Sequence, residues 1–291
     1  MIIGENRREV MENIRNAAEN SDFYAKVELN DPILTDEESK KIIDGYLLNR
    51  DKPLYRFKSR IAYTMADIAM FFINKDTEIT GSEKIKNLSG GAIVTSNHFS
   101  PIENTVVRYF VKKCLKKRLA IVSQVTNFAM PGIIGFLMNY ANTIPLWDNM
   151  RFLSHKFTDI VKEHTDKNEV VLIYPEQEMW FNYRKPRPPK RGAYLFAAKL
   201  NVPVISCFVE IIDLPEAENN IFNKVKYRIH ILDVLTPDPS LSVRENSCIL
   251  CEKDYELKKS AYERVYSKPL DYKFDLSDIA GFKRSGADEQ E

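Results

Sequence analysis

The chain has 291 residues, 44% of them hydrophobic and 29% charged, with a formal net charge of +1. That length buries a real core, as one large domain or as a domain with a small helical appendage. The near-neutral balance excludes the dominant basic field of a nucleic-acid binder, so no nucleic-acid partner is expected.

The first thirty-five residues are polar with a weak helical pattern, and lack the apolar core of a signal peptide. Residues 35–50 open with Thr35 as N-cap and Glu38 three positions later, a capping-box signature for a helix. Residues 54–75 follow with a cationic, aromatic entry (Tyr55, Arg56, Lys58, Arg60) and then dense apolar residues from Ile61 to Ile73. A helix there is too short in apolar length to span a bilayer, which takes roughly 18–20 apolar residues. It is expected either to lie in a membrane interface or to pack on the core. The expected location is cytoplasmic, peripheral at the membrane face.

From residue 91 a regular alternation begins. Short apolar strands are expected at 91–97, 119–124, 143–147, 169–176, 202–211 and 224–235. Helices are expected at 100–117, at 127–141 with a break near Pro131–Gly132, at 150–165, at 191–201 and at 247–268. Strand alternating with helix predicts an α/β fold with a central, largely parallel sheet flanked by helices, and an N-terminal helical segment. The expected division is 1–78 helical segment, 79–267 α/β domain and 268–291 a polar, frayed tail. Cys114, Cys207, Cys248 and Cys251 are too irregularly spaced for a disulfide framework, and Cys248-x-x-Cys251 lacks two further ligands, so no metal is expected.

The stretch SNHFSPIEN (96–104) has two readings. Ser100 suits an N-cap, Pro101 the first helical position and Glu103 the third, which gives Glu103 a structural task as a helix cap. His98 and Asn97 instead fall at the carboxyl end of a parallel strand, the edge at which open α/β sheets bind ligands. Three later stretches end strands on the same edge. They are PLWDNMR (145–151), YPEQEMW (174–180) followed by the cations Arg184, Lys185, Arg187, Lys190 and Arg191, and KLNVPVI (199–205). Glu176 alone reads as a turn acid, and the proline-rich cationic run as a solvated loop. Trp180, Phe181 and Tyr183 read as interfacial anchors or tunnel walls.

In this order the four stretches resemble the glycerolipid acyltransferase family, over roughly residues 80–235. The family pairs a histidine with an acid at H-x4-D; here His98 and Glu103 stand at that spacing. PLWDNMR resembles its second block with Asp148. YPEQEMW resembles its Phe-Pro-Glu-Gly-Thr-Arg block at Pro175 and Glu176, and Lys190, Gly192 and Pro203 match its K-x-G helix and fourth block. The resemblance implies O-acyl transfer from acyl-CoA or acyl carrier protein, with no resident cofactor, to a lipid acceptor such as a lysophospholipid. It implies His98 as general base and Glu103 as its orienting acid. Asn97, Asp148, Arg151, Glu176, Gln177, Lys190, Gly192 and Pro203 are then expected to bind substrate.

Histidine suits deprotonation of an acceptor hydroxyl because its ordinary pKa lies near neutrality. The departures fall on the acceptor side. Asn149 stands where the second block has arginine, and Gln177, Glu178 and Met179 stand where the third has Gly-Thr-Arg. Three alternatives remain from the residues. The late acyltransferases of lipid A synthesis pair the same residues but lack the later blocks. The others are an inactive lipid-binding protein on this scaffold and a thioesterase.

Overall fold

The computed structural model describes residues 6–29 and 32–283. Three helices come first: α1 (Arg7–Glu19), α2 (Asp36–Asn49) and α3 (Pro53–Ile73). Then β1 (Glu78–Thr80), β2 (Ala92–Thr95), α4 (Asn104–Phe110), β3 (Leu119–Gln124), α5 (Gly132–Tyr140) and β4 (Thr143–Leu146) follow. The chain continues through α6 (Met150–Phe152), α7 (Thr158–Asp166), β5 (Val170–Leu172), α8 (Gly192–Leu200), β6 (Val204–Ala217), β7 (Asn223–Leu235) and α9 (Val243–Tyr266).

Among the described residues the strands form one seven-stranded sheet in the order β1-β7-β6-β2-β5-β3-β4. Every pairing is parallel except β6 with β7, which forms an antiparallel pair bent by register shifts. The expected α/β class therefore holds. β2 and β5 lie at the centre and every side chain of both is buried. That burial explains their unbroken apolar runs, since a strand covered on both faces has no polar alternation. Their parallel pairing brings the loops after residues 95 and 172 side by side. Two core clusters cover the faces of the sheet, one built on α7 and α8, the other on α4.

Thr35 caps α2 in a full capping box with Glu38, as its sequence requires. The break at Pro131 is also present: a short 3-10 turn runs to Ala129 and α5 begins at Gly132. Helix α9 starts at Val243, earlier than expected, because Ser242 and Glu245 form a second capping box. Cys248 and Cys251 sit on that helix, and burial pushes the Cys251 thiol up to about 11. Its Asp254 and Lys258 form a buried ion pair at 2.6 Å that also engages Thr95 and Tyr194, fastening α9 beneath the end of β2.

Two expectations are corrected. The segment from 268 is no frayed tail as far as 283. Tyr183 bridges to Ile279 and Phe222 to Phe282, and Ile279 and Ala280 are buried. Residues 284–291 lie outside the described residues. This strap closes a satellite core with α1 (Val10, Met11, Ile14) around Trp180, Phe181 and Tyr183. Those three aromatics are therefore core residues rather than interfacial anchors or tunnel walls.

Helix α3 answers its two alternatives with two faces. Ala62 and Met70 are buried against the domain, while Leu54, Phe57, Ile61, Ile68, Phe71 and Phe72 are exposed. No described helix is long and apolar enough to cross a membrane.

Ile279 tests the strap. Ile279→Ala is expected to cost about 2–4 kcal/mol, the range for truncating a buried isoleucine. Chemical denaturation measures it; a change below about 0.5 kcal/mol would return the segment to a loose tail.

Candidate active site

The turn after β2 carries the first site residues. Ser100 and Pro101 do not begin the helix; residues 101–103 form a turn and α4 starts at Asn104. Half of the expected capping box survives inside that turn. The Glu103 carboxylate accepts from the Ser100 N–H at 2.7 Å, while the Ser100 hydroxyl accepts from Ile102 N at 3.4 Å. The helix stops short of Ser100 because the Glu103 side chain is held elsewhere. Its second oxygen lies 2.5 Å from His98 Nδ1.

Glu103 is 1% exposed, and both of its oxygens are occupied. A carboxylate only accepts, so the contact fixes a proton on Nδ1 of the neutral imidazole and leaves Nε2 as its acceptor. The His98 ring also stacks on Tyr174, with ring centroids 4.1 Å apart and planes 9° from parallel. Burial, and after it the nearby Glu103 charge, holds the Tyr174 phenol well above its ordinary pKa. Carboxylate on one edge and aromatic face on one side together set the plane of the imidazole.

Glu176 does not line an acceptor site as the sequence suggests. It is 2% exposed, and its carboxylate accepts from the backbone N–H groups of His98 (3.2 Å) and Arg187 (3.0 Å). The Arg187 guanidinium donates to it as well, from Nε and Nη2 at 3.3 and 3.2 Å. Arg187 is buried, stacks on Trp180 at 4.5 Å, and donates to the carbonyls of Glu178 and Phe23. Burial pulls its guanidinium below the ordinary value and Glu176 pulls it back up. The cationic run is thus not solvated throughout. Lys185 is buried with Asp278 at 2.8 Å, and Arg184 pairs with Asp213 at 2.5 Å. The composition of the run hides this, because burial here depends on carboxylates far away in sequence.

The other expected residues divide. Asn97 is buried and exchanges two hydrogen bonds with the backbone of Val209, so it locks β2 to β6 instead of touching substrate. Asp148 and Arg151 are exposed and do not line the cavity described below. Asn149, in place of an arginine, caps α6 by accepting from Phe152 N at 3.0 Å. Pro203 precedes β6 and also lies off the cavity, whereas Gln177, Lys190 and Gly192 line it. Gln177 holds a left-handed backbone, φ 64°, the conformation that glycine adopts most cheaply. The turn geometry survives there without the glycine.

The cavity has a volume of about 1250 Å³, and His98 lines it. Much of its wall is apolar, with Leu137, Met138, Ile173, Phe157 and Phe196 among the lining residues. On one side the wall is α3 itself, through Ala66, Ala69 and Ile73. Arg7, Val10, Lys26 and Glu28 also line it. Sequence reasoning missed this N-terminal share entirely. No motif marks it; the packing of α1 on Trp180 and Phe181, and the contacts of Ala25 O with the Trp180 indole N–H and of Phe23 O with Arg187, bring it there. Among the described residues no group of histidine, cysteine, aspartate and glutamate side chains could hold a metal ion.

The arrangement offers an oriented imidazole in the lining of a largely apolar cavity, large enough for a hydrocarbon chain. Residues 76–210 match the protein-family model described as Acyltransferase. None of the curated proteins matches the chain. Among solved structures it is similar to the 1-acyl-sn-glycerophosphate (LPA) acyltransferase PlsC from Thermotoga maritima. The TM-score is 0.48 at 15% identity, with 91% of this chain and 98% of that one covered.

The ion pair beneath the loop is testable by stability. Arg187→Met strands a buried carboxylate and is expected to cost about 3–5 kcal/mol. Adding Glu176→Gln removes the stranded charge while keeping an acceptor for His98 N–H. In urea denaturation the double variant is expected to be more stable than Arg187→Met alone; equal or lower stability would show that Arg187→Met leaves no stranded charge at Glu176.

Proposed function

From the premise that the chain belongs to the acyltransferase family, we propose that it transfers a fatty acyl group from a thioester donor to the free hydroxyl of a lysophospholipid. The donor is acyl-CoA or acyl carrier protein. One observation carries the reading: the buried Glu103 carboxylate sits 2.5 Å from Nδ1 of a histidine that opens onto an apolar cavity.

In this reading His98 Nε2 takes the proton of the acceptor hydroxyl as its oxygen attacks the thioester carbonyl. The tetrahedral intermediate collapses with loss of thiolate, which takes the proton from the imidazolium and leaves as thiol. Glu103 stabilises the imidazolium and keeps the ring in the tautomer that accepts at Nε2. The nucleophile comes from the substrate, so no protein serine is needed. The apolar walls hold the acyl chain, and that burial binds donor and transition state alike, lowering KM without raising kcat.

The exposed face of α3 supports docking on a lipid surface. Phe57, Ile61, Ile68, Phe71 and Phe72 present apolar side chains, with Arg56 and Arg60 exposed on the same helix. An apolar helix face with cations beside it lies in the interface of an anionic membrane. Because Ala66, Ala69 and Ile73 of that helix line the cavity, docking there sets the cavity beside the lipid that supplies its substrates.

His98→Ala is expected to lower kcat by about 10²–10⁴-fold with the fold retained, the usual loss for a general base. Glu103→Gln offers at most one carboxamide oxygen to two donors, and is expected to lower kcat comparably while KM stays within a few-fold. Thiol release with lysophospholipid as acceptor measures both; wild-type turnover in either variant would overturn the assignment. Phe71→Ser/Phe72→Ser is expected to weaken cosedimentation with vesicles containing phosphatidylglycerol. Unchanged binding would remove α3 from the docking surface.

A further inference from the structure

The acceptor end of the cavity carries both signs of charge, and from this we infer the acceptor's head group. It is a phosphodiester bearing a primary ammonium, with the ammonium on Glu178 and the phosphate facing Lys190. The inference rests on the acyl-transfer reading above and goes beyond it in naming the acceptor class.

Glu178 lines the cavity two residues past Glu176, half-buried. Its carboxylate makes no hydrogen bond or ion pair with another described residue. Arg187 lies within electrostatic reach, yet its guanidinium is committed to Glu176 and to the carbonyls of Glu178 and Phe23. The buried Glu176–Arg187 pair is neutral as a unit, so the charge this turn shows to the cavity is that of Glu178. Its neighbours Gln177 and Met179, which also line the cavity, add no charge.

Lys190 supplies the opposite sign in the same lining, to which Lys26 also contributes. Its backbone N–H donates to Pro175 O at 2.8 Å, which fixes it relative to the Glu176–Glu178 turn. Its ammonium stands 3.8 Å from the centre of the Tyr24 ring. Arg7 and Glu28, also in the lining, pair at 3.3 Å.

A phosphate monoester carries close to two negative charges at neutral pH. Placed here it faces Glu178, a like charge in a partly dehydrated cavity. A phosphodiester carries one negative charge, and a terminal ammonium supplies a donor for the carboxylate. Specificity then comes from attraction to one head group combined with repulsion of the other.

The test compares three lysolipids at equal mole fraction in mixed micelles of one neutral detergent: lysophosphatidylethanolamine, lysophosphatidylglycerol and lysophosphatidic acid. The first two are both phosphodiesters and differ in ammonium against hydroxyl. The wild type is expected to prefer the ethanolamine head over the glycerol head by about tenfold in kcat/KM, as one charged contact allows, and to use the monoester least. Glu178→Gln is expected to bring the ethanolamine-to-glycerol ratio close to one. Glu178→Arg is expected to raise the use of the monoester relative to both diesters. A wild type that prefers the monoester, or a ratio unmoved by Glu178→Gln, overturns the inference while acyl transfer stands. Absence of His98-dependent transfer to all three lipids overturns the acyl-transfer reading itself, and the inference with it.

Discussion

The buried Glu176–Arg187 pair is the interaction on which the rest of the site depends. Isolated in the interior, either charge would cost several kcal/mol in lost hydration. Together they are tolerated because nearly every oxygen and nitrogen has a second partner. Those partners are the backbone of His98, the backbone of Arg187 and the carbonyls of Glu178 and Phe23. The pair thereby fixes three segments distant in sequence: the loop after β2, the loop after β5 and the linker after α1. Trp180 repeats the link with its own groups, its backbone N–H donating to His98 O and its indole to Ala25 O. The histidine's backbone is held on both sides before its side chain meets anything.

Glu103 follows the same economy. A conventional capping box would satisfy helix donors and leave the acid pointing at its own backbone. Here one oxygen retains the capping contact to Ser100 N–H, and the helix begins three residues later than a cap at Ser100 would place its first turn. The other oxygen is then free to orient His98. The local stability of the turn and the orientation of the imidazole rest on one buried carboxylate. The cap reading of SNHFSPIEN and its His98–Glu103 pairing are therefore two contacts of one side chain.

The sheet was legible because its strands are short apolar runs between strong helix starts. β2 through β5 alternate with helices in the order that hydrophobic pattern demands, and the Thr35 cap and Pro131 break lie where their chemistry puts them. The pairing of His98 with Glu103 was legible for the same reason: both partners lie within one turn. Long-range burial was not. Glu176, Lys185 and Arg187 have the composition of a solvated loop, and only carboxylates and carbonyls from other segments take them inside. The strap at 274–282 was missed because the polar residues around it in 268–291 mask its apolar ones, Phe274, Leu276, Ile279, Ala280 and Phe282. Composition reports the average of a segment, whereas docking depends on which side of it meets the core.

These misreadings share a physical origin with the division of labour in the cavity. The turn after β2 supplies His98 and the buried carboxylate that orients its ring. Part of the cavity wall comes from α1 and the residues that follow it, outside the span 76–210 that matches the acyltransferase family model. Phe23 and Ala25 reach the site through main-chain carbonyls, a contact any side chain permits. That part of the wall can thus change in sequence while its attachment to the loops carrying His98 and Glu176 stays the same. The burden of that attachment falls on Arg187 and Trp180, which supply the donors.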